Sequence, residues 1–332
     1  AAYNTGVGYD VLGSNTTGDL NVAIGYEALG TNVAGDKSVA IGVQALYAQN
    51  PSGNADMYNT AVGYSAGAAV NTGIENTLIG GLAGDALTGG AANIALGYNA
   101  LSTDTGGNAS IAIGKNALST QNLGIDTFNT AVGFAAGAGV TTGVKNTFLG
   151  GLAGDATTDA DENVAIGYDS LGTNILGGAS VAVGASALRT QNPASAVTMY
   201  NTAVGHFAGY AVTTGVQNTL IGGLAGDAVS TGSGNTAVGY LALSTEDGHG
   251  YNTAVGHSAL SVYNAGANGN AVSVGYYSGF ATTTAVNFTF LGMASGAFCT
   301  TGDNSTFVGS QAGKGITGAK LTGNNNTAVG KD

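Results

Sequence analysis

Short apolar runs alternate along the whole chain with stretches of Thr, Gly, Asn and Asp, and the alternation keeps a regular beat. Each run reads Asn-Thr-Ala-Val-Gly, as at Asn59–Gly63, Asn129–Gly133, Asn201–Gly205, Asn235–Gly239, Asn252–Gly256 and Asn326–Gly330. Near variants stand at Asn21–Gly25, Ser38–Gly42, Asn76–Gly80 and Asn146–Gly150. The closing glycine occurs 19 times, from Gly8 to Gly330; 13 of the intervals are 17 residues, two are 19 and three are 21. A β-branched run of this length predicts a short strand, and the glycine permits a bend after it. A second apolar pair follows three residues later, Ala28-Leu29 in one coil and Ala66-Gly67 in another, and turn residues fill the rest.

Seventeen residues is too short for a helical hairpin and suits one coil of a β-solenoid, with two short strands and two turns in a flattened β-roll. One coil cannot offset the roughly 17–34 kcal/mol of backbone entropy lost in ordering it, so coils must stack. The expected fold is therefore all-β: one continuous parallel β-solenoid over 1–332, of about 19 coils of 17–21 residues. At about 4.8 Å per coil it would form a rod on the order of 90 Å long.

Within the five-residue motif, counted from its asparagine (position 1) to its glycine (position 5), position 4 is always Val, Ile or Leu, and position 2 is Thr, Val or Ile. These two are expected to face the interior of the roll. Position 3 should then point outward. It is usually Ala, but Leu78, Phe148, Leu220, Phe290 and Phe307 also occupy it. A strand apolar on both faces is buried on both. The expectation is a homo-oligomer in which those five residues mark the contact face. Side-chain sizes are also correlated. Gly84, Gly154 and Gly226 end the second pair where position 3 is Leu or Phe; Leu29, Leu101 and Leu171 end it where position 3 is Ala. This is volume compensation.

A longer period is superimposed. Equivalent coils begin at Asn59, Asn129, Asn201 and Ala271, each preceded by a long turn: Tyr47–Tyr58, Ser119–Phe128, Arg189–Tyr200 and Ser261–Asn270. Loops on a rigid scaffold carry function in repeat proteins. The candidate contact residues are Tyr47, Gln49, Asn50 and Tyr58 in the first turn, Gln121, Asn122 and Phe128 in the second, and Gln191, Asn192 and Tyr200 in the third.

The Asn21–Gly25 and Ser38–Gly42 coils resemble the head repeats of YadA-like trimeric autotransporter adhesins. The 17-residue coils rich in Asn-Thr-Ala resemble the repeat shafts of phage tail fibres and bacterial surface fibres. The resemblance covers all coils. It implies a left-handed β-roll, a parallel homotrimer, an extracellular place on a cell surface or virion, and a structural shaft that attaches to a receptor through lateral loops. The coil here is longer than in the adhesins, the four-coil period is additional, and no heptad stalk, membrane anchor or chaperone is visible.

Charge narrows the partners. With seven basic residues against 19 acidic ones and a net charge of -12, neither nucleic acid nor an anionic membrane is expected as a partner. No apolar run reaches 18 residues, so membrane insertion is not expected. Cys299 is the only cysteine and reads as a packed thiol. His206 and His257 occupy the place after the motif glycine where Tyr9, Tyr26, Tyr64, Tyr98 and Tyr168 stand in other coils, and read as surface members of that column. No nucleophile elbow or zinc spacing appears, so neither an enzyme nor a cofactor is expected.

Three Gly-Gly-Leu-Ala-Gly-Asp-Ala segments weakly resemble calcium-binding nonapeptides, but at a period near 71 residues. They read as turn glycines with solvated Asp85, Asp155 and Asp227; the metal alternative has these carboxylates meeting symmetry mates around an ion. The Asp159–Glu162 cluster reads as a solvated turn. Recurrent Asn at position 1 predicts a side-chain ladder. The alternative function is a specific binding module for a glycan or for ice. A glycan face would use Tyr58, Phe128 and Tyr200; an ice face needs an unbroken Thr array, which Val22, Val39, Ile94 and Ile111 interrupt. The chain begins in mid-pattern, so continuation in a longer polypeptide or end-to-end stacking of its open coils is expected.

Overall fold

The computed structural model describes residues 1–316 and 320–331. They are all-β, with no helix among the described residues. The chain divides into two compact units, Ala1–Asn163 and Val164–Asp332, built on the same plan. The first contains nine three-residue motif strands, from Thr5–Val7 to Thr147–Leu149; the second contains ten, from Val164–Ile166 to Thr327–Val329. Within each unit every motif strand pairs in parallel with the next, without slippage. Thr60, Ala61 and Val62 face Thr77, Leu78 and Ile79 in the first unit, and Thr202, Ala203 and Val204 face Thr219, Leu220 and Ile221 in the second. These are the coils of a parallel β-solenoid.

The motif glycine is required by close approach. Its φ lies between 128° and 144°, and a β-carbon on Gly63 would collide with the Gly80 carbonyl of the next coil. Among the described residues the second apolar pair forms no strand, contrary to expectation. The Ala-Leu segment is instead a tight turn in which alternate residues, such as Glu27 (φ 55°) and Leu29 (φ 50°), are left-handed. Bonding from coil to coil nevertheless continues there: the Leu29 N–H donates to Ala45 O at 3.1 Å, and the Leu46 N–H to Ala66 O at 3.0 Å.

The faces of the motif strand are the reverse of the expected ones. Position 3 points inward. Leu78, Phe148, Leu220 and Phe290 are completely buried within the single chain and Phe307 is 2% exposed, so they form its core and cannot be a contact face between chains. Positions 2 and 4 point outward: Ile79, Leu96 and Leu149 are 36–45% exposed. The reason is volume. The inside of a 17-residue coil is narrow and holds Ala in most coils, and each large residue needs space made for it. Leu78 lies between Gly67 and Gly84, where added β-carbons would come within 2.7 and 2.8 Å of its methyls. Gly137 and Gly154 flank Phe148 in the same way. The size compensation expected from sequence is thus an event inside the core.

Most motif asparagines in this core are paired, whereas both side-chain polar atoms of the buried Asn252 have no hydrogen-bond partner. Asn76 is fully buried; its amide donates to Gly90 O at 2.8 Å, and its Oδ1 accepts the Asn93 N–H at 3.0 Å. Asn59, Asn93, Asn146 and Asn218 repeat the arrangement, so the predicted ladder links these coils to the next and breaks at Asn252 and at Ala271.

Candidate functional site

The surface with most to offer is the outward side of the motif strands. Positions 2 and 4 lay two rows of β-branched and Leu side chains along each unit. Position 6, just past the glycine bend, adds a row of rings. In the first unit Tyr26, Tyr64, Tyr98 and Phe134 hold this row in every second coil, at 46–61% exposure. In the second unit Tyr168, His206, Tyr240 and Tyr276 do the same. His206 is an exposed member of this alternation, and His257 is an exposed ring in the intervening coil, between Tyr240 and Tyr276. This regular row is visible in the sequence as a two-coil alternation, whereas the expectation for glycan contact falls on the turn-closing aromatics instead.

The long turns divide into an inside and an outside. Tyr58, Phe128 and Tyr200 are 51–63% exposed, Tyr47 is 36% exposed, and Asn50, Asn122 and Asn192 are exposed. Gln49, Gln121 and Gln191 are completely buried, which removes them from any contact surface. Gln49 and Gln121 tie their coils to neighbouring ones. Gln49 Oε1 accepts from Ser38 Oγ (3.1 Å) and Asn59 Nδ2 (3.0 Å), and Gln121 Nε2 donates to Asp104 Oδ2 at 2.6 Å. The turns are braced by two-residue ladders, Ala55–Asp56 against Gly35–Asp36 and Val197–Thr198 against Gly177–Gly178, and Met57 and Met199 plug the core beneath. Their tips, such as Ser52, Gly53 and Asn54, stay in solvent. At the base of the first turn Lys37 Nζ meets Asp56 Oδ2 at 2.6 Å and lies 5.1 Å from the centre of the Tyr58 ring. The bond to Asp56, and a second from Lys37 Nζ to the Tyr58 hydroxyl at 3.1 Å, push the lysine up to about 12; the lysine and the Tyr58 hydroxyl, which donates at 3.0 Å, hold the Asp56 carboxyl below its usual range.

The carboxylates behave differently from one another. Asp85 and Asp227 are half-buried, burial raises both, and Oδ1 of each has no hydrogen-bond partner. Asp85 and Asp155 are four coils apart, about 19 Å, so one chain cannot bring them to a shared ion. The Asp159–Glu162 turn is bonded as well as solvated: Asp159 accepts from Thr141 and Thr142, and Glu162 pairs with Lys145 at 3.2 Å.

One acidic group has no counterpart among the sequence expectations. In the fourth long turn Tyr263 takes the place of the buried glutamines, and beneath it Glu246 is fully buried. Burial raises the Glu246 carboxyl, and hydrogen bonds oppose that shift: Oε1 accepts the His249 N–H (3.0 Å) and lies 3.2 Å from His249 Nδ1, while Oε2 accepts the Ala265 N–H. The ligand atoms of Glu246, Asp247 and His249 lie within 4.8 Å of one another, a spacing able to hold a metal ion. The hydrogen bonds account for Glu246 without one. Cys299 is fully buried, and burial raises its thiol.

No protein-family model, no curated protein and no solved structure matches the chain.

Proposed function

We propose that the chain is the structural shaft of an extracellular or virion fibre, assembled from parallel copies of itself through the rows at positions 2 and 4. The observation that carries this reading is the bare outer face of the motif strands. In the nine coils of the first unit that face is about 40 Å by 10 Å, or about 400 Å², as large as the single largest, often functional, patch of a typical soluble monomer, about 300–600 Å². The face is flat, in register and nearly free of charge, so an identical face fits it without unpaired ions. Three copies is the number implied by the likeness to YadA-type heads and fibre shafts; the burial argument requires only more than one. Attachment to a receptor falls to the exposed tips of the long turns. The chain acts as neither an enzyme nor a cofactor carrier in this reading.

Light scattering on the purified chain, paired with negative-stain electron microscopy, tests it. The expected result is a particle of several times 32.1 kDa that images as a uniform rod. A monodisperse single chain would overturn the assembly.

A further inference from the structure

The ring row at position 6 follows a rule that nothing beneath it imposes. The core repeats every four coils, two with Leu and two with Gly at the end of the second pair, whereas the rings recur every two coils. Contact between neighbouring rings does not set the period either. Where adjacent coils both carry one the rings touch, Tyr9 on Tyr26 at 5.4 Å and His257 at 5.3 Å from Tyr240 and 5.5 Å from Tyr276, yet Tyr64, Tyr98, Phe134 and Tyr168 keep the alternation without that contact. The gaps hold Val43, Gly81, Lys115 and Gly151 in the first unit and Ala185, Gly223, His257 and Met293 in the second, and where the gap is Gly81 or Gly223 the ring of the next coil lies close over it. A β-carbon on Gly81 would sit 3.5 Å from Tyr98 Cδ2, and one on Gly223 would sit 3.5 Å from Tyr240 Cδ2. Tyr98 and Tyr240 thus each lie with Cδ2 and Cε2 near the glycine of the preceding coil while about half of each residue stays exposed.

We infer that this row binds a neutral β-1,4-linked polysaccharide laid along the stacking direction. Rings of alternate coils are about 9.6 Å apart, two strand spacings. A β-1,4-linked chain turns each pyranose by half a turn against the last, so it shows the same ring face once per disaccharide, at a closely similar repeat. Each exposed ring then meets the axial C–H groups of every second sugar, and a tyrosine hydroxyl reaches the rim of sugar hydroxyls. Charge selects a neutral polymer: a protein of net charge -12, with Lys115 as the basic residue among the gaps of the first unit, repels a polyanion. Four rings in line within one unit make weak single contacts act together. The inference does not depend on the shaft reading, because one unit of one chain supplies a complete row.

The test is retention of the full chain on insoluble cellulose and on chitin, with granular α-1,4-glucan as the mismatched polymer. Retention on cellulose or chitin but not on the α-linked polymer is expected, and the stronger arm identifies the sugar. The variant Tyr64→Ala/Tyr98→Ala/Tyr240→Ala should lose about tenfold or more in affinity with an unchanged circular dichroism spectrum. The variant Tyr58→Ala/Tyr200→Ala, outside the row, should bind as the parent does. No retention on either β-linked polymer, or equal retention by the row variant, overturns the inference. If the row variant instead changes only the size of the particle, the row is a contact between copies; the polysaccharide is then wrong and the shaft stands. Retention by a chain shown to be monomeric has the opposite meaning.

Discussion

Asn76 holds three coils together with one side chain. It donates to Gly90 in the turn of the coil above, accepts from the backbone of Asn93, and stands 3.2 Å from Asn59 Oδ1 in the coil below. Replacing it with alanine leaves a carbonyl and an N–H buried without partners, at about 1–3 kcal/mol each. Asn76→Ala should therefore lower the urea midpoint clearly, while the same change at exposed Asn54 should stay within about 0.5 kcal/mol. Equal effects would show that the ladder is ornamental. The ladder is legible in the sequence because a polar residue fixed at one place in so many coils has no other evident use. Nothing there reveals that Gln49, Gln121 and Gln191 join the same buried network. A glutamine in a long turn has the composition of a loop, and only the bracing of the turn carries it inside.

At the scale of the coil, glycine and large side chains exchange volume. The end of the second pair is left-handed whether it is Leu101 (φ 53°) or Gly84 (φ 56°), so backbone conformation does not explain the glycine. Space does, because Leu78 fills it. Gly84→Leu alone should destabilise by about 1–3 kcal/mol through overpacking, and Leu78→Ala alone by about 2–5 kcal/mol through a cavity. Made together they should cost clearly less than the two separately, a coupling that a double-mutant cycle measures; simple additivity would refute the exchange. The same pairing explains why sequence reasoning puts the wrong face inward. Val, Ile and Leu at position 4 are more hydrophobic than the usual Ala at position 3, and hydrophobicity alone puts that face, with the β-branched position 2, inside. Size compensation between Phe148 and Gly154 points the other way, since side chains that must share volume lie in one core. The strand count per coil fails for a related reason: Ala-Leu reads as apolar and extended, whereas its alternating left-handed residues curl it into a turn.

For the whole molecule, the reversal of faces changes which residues govern assembly. Ala61 is completely buried in its own chain, so Ala61→Glu places a charge in the core and should unfold the coil stack. Ile79, Leu96 and Leu149 are 36–45% exposed on the outer face. Lysine there can extend into water, and lysine on an exposed strand face is also a natural block to strand-on-strand association. The variant Ile79→Lys/Leu96→Lys/Leu149→Lys should therefore keep its β-type circular dichroism and sediment as a single chain, while the parent sediments as a multiple. If the triple variant stays associated, the outer face is not the contact, and assembly must run through the long-turn flank. If it unfolds as Ala61→Glu does, the outer rows are core in the assembled state to the same degree as position 3, and the chain folds only as it associates. A parent that is itself a folded monomer would leave about 400 Å² of sheet face, built from Thr, Val, Ile and Leu, uncovered per unit, and the shaft would have to be abandoned for a surface that meets a different partner.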